Sequence, residues 1–458
     1  MDIGSLKKIH MIGIGGVGVS AIAEILHENG VIVTGSDLKE SDITKKLIAK
    51  GIKVFYGHIQ DNLSIDTELL VYTSAINNEN PEYLRALELD IPTLSRSQIL
   101  GLLMKDYINS IAIAGTHGKS TTTSLTSVII DRTDKKPTIL IGADVKELNG
   151  NAKVGHKDIL ITEACEYREN FLDFNFNIGV ILNIDEDHLD YFKDMNHIIS
   201  TFEKFAQKIP KTGYLIINGD DLNSKRVINH SYCNVITFGI DTNSNVIAKN
   251  IEYNEFGYPS FDIFENDTFV FRATLSIVGT HNIYNALAAY CISKVVGVEV
   301  SIIKDSFLSF TGAKRRYELK GYFNGAPVID DYAHHPTEIR ATLDAVTRIK
   351  NKKVALVFQP HTYTRTKELL NEFAESFNNV DKLYIIDIYA SREKDTGIIH
   401  SKDLIKLIKE KSVDVVYKES FEKVIEDIQT FLNEEWLFIT MGAGNVNEIG
   451  EALINSKK

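Results

Sequence analysis

Short apolar runs alternate with longer amphipathic stretches along most of this chain, and the apolar runs end in glycine or in polar residues. That rhythm belongs to parallel strands covered by helices. Residues 8–12 read as a strand, 13–18 as a tight turn, and a helix follows to about residue 29. Strands at 31–35, 69–73 and 91–94 continue the pattern. The last reaches Ser95, a suitable N-cap for a helix through Met104. The rhythm resumes with strands at 111–114, 158–162 and 178–182. It breaks over 213–278, where short alternating strands (214–217, 235–238, 260–264, 269–275) and Asn/Gly turns read as an antiparallel appendage. From residue 328 strand and helix alternate again, with strands at 328–330, 353–358, 382–386, 413–416 and 436–440. The pattern predicts an α/β chain of three domains, 1–107, 108–314 and 315–458.

Two glycine turns carry candidate chemistry. In Ile111-Ala-Ile-Ala-Gly115-Thr116-His117-Gly118-Lys119-Ser120-Thr121 a buried strand feeds glycines into a helix N-terminus. Backbone N–H groups and the positive end of the helix dipole then converge on one point. Lys119 adds a charge suited to β- and γ-phosphates, and the Ser120 hydroxyl suits the shell of Mg²⁺. The position five before Gly118 is Ile113, so this phosphate loop departs from the standard spacing. We read a nucleoside triphosphate site in a P-loop ATPase-like central domain. Earlier, Gly13-Ile-Gly15-Gly16-Val-Gly18 fits G-x-G-x-x-G in a Rossmann-like unit, and Asp37 lies 19 positions beyond Gly18, at the end of the second strand. This fingerprint suits a diphosphate on a helix N-terminus, from NAD or from a nucleotide-diphosphate sugar.

Composition narrows the partners. Hydrophobic residues make up 44% and charged residues 24%, with a formal charge of −12. That balance disfavours nucleic acid and anionic membrane surfaces. No apolar run reaches membrane-spanning length, and Cys165, Cys233 and Cys291 share no metal or redox spacing. A cytoplasmic protein is the expectation.

Further polar clusters fall at carboxyl ends of expected strands, the edge where open α/β sheets bind ligands. Glu163-Ala-Cys-Glu166 and Asn183-Ile-Asp185-Glu186-Asp187-His188-Leu-Asp190 suggest metal ligation near the triphosphate. Asn282 and Asn285, one turn apart, suit a purine edge, and Arg315-Arg316 suit anionic oxygens. The last domain offers Asp330-Asp331-Tyr332-Ala-His334-His335-Pro-Thr-Glu338 and Gln359-Pro-His361-Thr-Tyr-Thr-Arg365. The paired histidines lack a third ligand at zinc spacing.

In this order, the motifs from His10 to Ser20, Gly115 to Thr121, Glu163 to Glu166, Asn183 to Asp190, His281 to Asn285, Arg315-Arg316 and Asp330 to Glu338 resemble the Mur ligase family over nearly the whole chain. The Asp330–Glu338 and Gln359–Arg365 runs resemble its alanine-adding branch. The resemblance implies an ATP-dependent ligase that joins L-alanine to UDP-N-acetylmuramate through an acyl phosphate, with ATP and Mg²⁺ required, as a monomer or homodimer. It implies UDP contacts at Gly15, Gly16, Gly18, Ser36, Asp37 and Ser74. It places ATP at Gly115, Thr116, His117, Gly118, Lys119, Ser120, Thr121, Asn282, Asn285, Arg316 and Asp331. Mg²⁺ ligands would be Ser120, Glu163 and His188, and alanine would face Tyr332, His334 and Arg365. Lys119, Glu163, His188, His334 and Arg365 would carry the catalysis. Thr362 stands where some members have a second arginine. A murein-peptide recycling ligase is the related alternative. An NAD-dependent oxidoreductase would explain only the first glycine turn, and a nucleotide sensor would not need the His334 and Arg365 loops.

Overall fold

A computed structural model describes residues 3–73, 76, 79–349, 352–391, 393–411 and 413–456. They form three sheets in succession. The first has five parallel strands in the order Lys53–Tyr56, Ile32–Asp37, Lys8–Ile12, Leu69–Tyr72, Thr93–Ser95. Strand order reverses beside Lys8–Ile12, so the crevice at its carboxyl end lies under the first glycine turn. Ser95 caps the helix Arg96–Met104 through a capping box with Gln98.

The second sheet has ten strands, and the phosphate-loop strand Asn109–Ala114 lies inside it between Ile178–Ile181 and Ile159–Glu163. Here one expectation is corrected. The first two strands of the 213–278 stretch, Tyr214–Asn218 and Asn234–Gly239, extend this sheet in parallel. The crossover between them is a seven-residue helix, Leu222–Ile228, too short to show a helical period. Only Val246–Tyr253, Pro259–Glu265 and Thr268–Thr274 form the antiparallel appendage, and Val246–Tyr253 itself pairs in parallel with Asn234–Gly239. The third sheet runs Glu318–Phe323, Ala326–Asp331, Trp436–Met441, Lys353–Phe358, Lys382–Ile385, Val415–Tyr417, with only the first strand antiparallel.

Packing fixes the first domain against the second. One apolar cluster runs from Ile9, Ile22 and Leu100 into Phe171, Phe202 and Phe205. Gly101 sits so close to the next domain that a Cβ there would lie 2.0 Å from the Asp173 carbonyl oxygen, and the Ser97 hydroxyl donates to the Asp173 carboxylate at 2.5 Å. The helix Lys119–Asp131 is buried on all sides from Ser120 to Ile130 despite its run of threonine and serine. Several of these hydroxyls turn inward: Thr123 donates to the Lys119 carbonyl at 2.8 Å and Ser124 to the Ser120 carbonyl at 2.6 Å.

Candidate active site

The phosphate loop is shaped by two glycines in the left-handed half of backbone space. Gly115 has φ +136° and Gly118 φ +82°, and a Cβ on Gly118 would lie 2.5 Å from Asn285 Oδ1. Gly118 begins the 13-residue helix Lys119–Asp131 without a side-chain cap, so the first N–H groups stay available to an anion. Lys119 folds back on its own loop, donating to the Gly115 carbonyl and, at 3.0 Å, to that of Thr116, and pairs with Glu166 at 3.1 Å. Burial works against its charge, but Glu166 and the carboxylates around it outweigh that and hold its pKa above the ordinary value. The Ser120 hydroxyl meets Glu163 Oε2 at 3.1 Å, and the other Glu163 oxygen accepts the Gly142 N–H at 2.6 Å. A hydroxyl beside a carboxylate is a hard-oxygen donor set that fits Mg²⁺.

A cavity of about 570 Å³ opens from this loop between the second and third domains. His117, Gly118 and Thr121 wall one side, Asn282 and Asn285 another, and Arg316 and Asp331 a third. The asparagines are locked in orientation: Asn285 donates to Asn282 Oδ1 at 2.8 Å, Asn282 donates to the Val278 carbonyl at 2.7 Å, and Thr122 donates to Asn285 Oδ1 at 3.1 Å. Burial pushes Asp331 up to about 6 against the N–H of Ala333 and the hydroxyl of Thr342. The two arginines part company. Arg315 turns away from the cavity, its Nε on Asp330 at 2.9 Å and its two terminal nitrogens on the carbonyls of Gly444 and Gly442 at 2.9 and 2.8 Å. Arg316 alone of the pair lines the cavity.

A second pocket of about 160 Å³ is lined by His188, Tyr332, His334, His361, Thr362 and Arg365, among others. Arg365 reaches across from the third domain to Asp187 of the second, with Nε and Nη2 at 3.1 and 2.8 Å from one carboxylate oxygen. Burial alone would raise Asp187, but Arg365 and the neighbouring histidines hold it well below the usual carboxylate range. His334 donates through Nδ1 to the Tyr332 carbonyl at 3.0 Å, and burial lowers its pKa to about 4. Thr362 holds φ +66° in the pocket wall, a backbone region that costs a β-branched residue free energy and clusters at functional sites.

Of the three expected metal ligands, Ser120 and Glu163 meet. His188 lines the second pocket, its ring 4.7 Å from that of Tyr167, and among the described residues no hydrogen bond or ion pair joins it to the other two. A different trio, His117, Asp185 and His335, brings its ligand atoms within 4.8 Å of one another. These atoms are already committed. His335 accepts the Thr337 N–H on Nδ1 at 3.2 Å and donates from Nε2 to the Glu186 carbonyl at 2.8 Å. His117 lies between Asp185 at 3.0 Å and Glu338 at 3.4 Å. The cluster is a histidine–carboxylate network. Glu166 and Asp187, expected within metal-ligating clusters, pair instead with Lys119 and Arg365; sequence reasoning gave Glu338 no role, although its third helical position after His335-Pro336, a capping-box register, was an available signal.

In the first domain Asp37 accepts the Gly15 N–H at 2.8 Å, closing the glycine turn. Gly16 begins the helix Val17–Glu28 with no side-chain cap, and a Cβ on Gly18 would lie 2.8 Å from Arg96 Nη1. Ser36 is fully buried. Its hydroxyl donates to Glu82 at 2.5 Å and its carbonyl accepts from Gly13 and Ile14, so it supports the turn from behind instead of facing a ligand. Ser74 lies outside the described residues.

Family models described as "Mur ligase family, catalytic domain", "Mur ligase middle domain" and "Mur ligase, glutamate ligase domain" match residues 8–108, 113–293 and 315–444. A UDP-N-acetylmuramate–L-alanine ligase of Alkaliphilus metalliredigens is 49% identical over 458 residues, covering 100% of this chain and 99% of its own. One of Caldanaerobacter subterraneus subsp. tengcongensis is 45% identical over 458 residues, with the same coverage. Among solved structures, a UDP-N-acetylmuramate–alanine ligase of Thermotoga maritima superposes with a TM-score of 0.82 at 26% identity, over 98% of this chain and 99% of that one. Matched from end to end at this identity, the chain belongs to the Mur ligase family.

Proposed function

We infer that this protein is an ATP-dependent, ADP-forming ligase that joins L-alanine to the carboxylate of UDP-N-acetylmuramate in peptidoglycan precursor synthesis. One observation carries the reading beyond family membership. The loop after strand Ile178–Ile181 touches both pockets, with Asp185 on the phosphate-loop residue His117 and Asp187 on Arg365. A phosphate-activating site and a site suited to an amino acid therefore share one wall, as a two-step ligation requires.

A carboxylate resists attack by an amine, so the muramate carboxylate first takes the γ-phosphoryl group of ATP, releasing ADP. Lys119 and the helix N–H groups behind Gly118 stabilise the transferring charge. Ser120 and Glu163 would hold Mg²⁺, which when bound supplies further neutralisation of the phosphate oxygens. The alanine amine then attacks the acyl phosphate and expels phosphate. Arg365 offers its guanidinium to the amino-acid carboxylate. Tyr332 and His334 shape the pocket; a histidine with a pKa near 4 is too weak a base for an ammonium group, so His334 orients instead of abstracting the proton. The glycine turn at Gly15, Gly16 and Gly18, closed by Asp37, receives the UDP diphosphate. Among the described residues no helix is long and apolar enough to cross a membrane, and we place the reaction in the cytoplasm.

The test is phosphate release from purified protein with ATP, Mg²⁺ and UDP-N-acetylmuramate, with and without L-alanine. Release that requires both, together with a new amide by mass, supports the reading. Release that requires a preformed peptide makes the protein a recycling ligase. ATP binding without stimulated release removes the catalytic assignments.

A further inference from the structure

The phosphate-loop residue His117 does something the loop does not need for binding phosphate. Its backbone is pinned to Asn183, donating its N–H to the side-chain oxygen at 2.8 Å and accepting from the side-chain nitrogen at 3.1 Å. Its ring points into the third domain. Nε2 meets Asp185 Oδ2 at 3.0 Å and Nδ1 meets Glu338 Oε1 at 3.4 Å. The second oxygen of Glu338 accepts the backbone N–H groups of His334 and His335 at 3.1 and 3.3 Å, and lies 3.4 Å from His334 Nδ1. A continuous polar chain therefore runs from the phosphate loop through His117 and Glu338 to the backbone that carries His334. Asp185 is tied into the same chain by the Thr337 hydroxyl at 2.7 Å.

Two carboxylates from two domains face one imidazole here. Removing the imidazole leaves Asp185 with Thr337 and His335 and Glu338 with Arg316 at 4.0 Å, and takes away a group that joins the two carboxylates across the domain boundary. We infer that His117 is a positioning residue for the second step: acting through Glu338, it sets the segment bearing His334, so that the phosphate loop and the alanine pocket are assembled together. The inference rests on the reading of the second pocket as the alanine site.

The test compares His117→Asn, Glu338→Gln and the double variant in steady-state kinetics with each substrate varied in turn. Each single variant is expected to raise the alanine KM by about 10-fold or more, the scale of a lost charge-assisted bond. The UDP-N-acetylmuramate half-saturation value should move by less than about 3-fold, and in each variant the alanine KM should rise several-fold more than the ATP value. The double variant should be no worse than the poorer single, because the pair acts as one unit. An unchanged alanine KM, an equal rise for ATP and alanine, or additive losses in the double variant would each overturn the inference. If His117→Asn does not fold, Glu338→Gln alone carries the KM comparison. Arg365→Ala separates the two readings. If it leaves the alanine KM unchanged, the pocket assignment fails; if it raises it while the His117 and Glu338 variants do not, only the role of His117 fails.

Discussion

Arg315 and Arg316 are neighbours in sequence with opposite expected phenotypes. Arg315→Ala removes three hydrogen bonds at once, one to Asp330 and two to the carbonyls of Gly444 and Gly442. Asp330 is fully buried and, among the described residues, its side chain then retains the Thr440 hydroxyl, which donates to its other oxygen at 2.7 Å. Breaking a buried ion pair costs about 3–5 kcal/mol. The Arg315 side chain is 23% exposed, which admits water to the vacated space and favours the lower end, about 3 kcal/mol. Burial already pushes the Asp330 pKa upward, with Arg315 and Thr440 opposing it. Without Arg315 the carboxyl takes up a proton more readily, so the loss should shrink as the pH is lowered and grow as it is raised. A three-domain chain does not unfold in two states, so a single melting temperature is the wrong readout. Amide hydrogen exchange in strands Ala326–Asp331 and Trp436–Met441, which Arg315 braces, reports the local term. About 3 kcal/mol corresponds to roughly 100-fold faster exchange, and adding Asp330→Asn should recover part of it. Arg316→Ala should leave that protection unchanged and abolish nucleotide-dependent turnover. Unaltered exchange in Arg315→Ala, at any pH, would refute the reasoning.

Lys119→Ala should reduce ADP release by at least about 100-fold, as loss of a preorganised electrostatic group does, while UDP-sugar binding measured by calorimetry stays within error. Arg365→Ala should raise the alanine KM by roughly 10- to 100-fold, with Arg365→Lys recovering little because the planar fork is lost; an unchanged KM removes Arg365 from the pocket. Burial pulls the His117 pKa down, but Asp185 and Glu338 outweigh it and push it up to about 9. The ring also faces His335 at 4.8 Å and lies within the influence of His281. A base raised in the folded state contributes fully below its unfolded value of about 6.5 and loses that contribution as pH rises through about 9. Protease resistance at the boundary between the second and third domains should therefore fall between roughly pH 8 and 10, and that fall should be absent in His117→Asn.

What was legible in the sequence was local. A strand feeding Gly115 and Gly118 into Lys119-Ser120 leaves a signature within a dozen residues, because backbone conformation and dipole are set by neighbours. The strand Tyr214–Asn218 was legible as a strand but not in its pairing, since alternation is the same whichever neighbour a strand meets. Arg315 and Arg316 were indistinguishable as a dipeptide; in the fold the backbone takes positive φ at Arg315 and Tyr317, +61° and +54°, and one side chain enters the domain while the other lines the cavity. Asp185, Asp187 and Glu338 were read as metal-seeking or unremarkable because each meets a group of another domain: Thr337, Arg365 and His117. No local period encodes that meeting.

The acidic loop between Asn183 and Asp190 shows what such a meeting accomplishes. Read alone, it is either a solvated turn or a metal site. In the fold Asp185 takes His117, Asp187 takes Arg365 and Asp190 accepts the Tyr167 hydroxyl at 2.9 Å. Two of the loop's four carboxylates thus meet cationic partners, and the His117 bridge crosses the domain boundary through Glu338 while the Arg365 bridge crosses it directly. For a chain of formal charge −12 that must gather ATP, a UDP-sugar and an amino-acid carboxylate, this arrangement matters. Carboxylates at the centre of the cleft are neutralised by partners fixed in the fold, and Arg316 still faces the cavity. Fewer uncompensated carboxylates then oppose the approach of an anion to a chain whose net charge is negative. The same loop joins the two halves of the cleft, through Asp185 with Thr337 and Asp187 with Arg365, so a change in it should alter substrate capture and domain seating together.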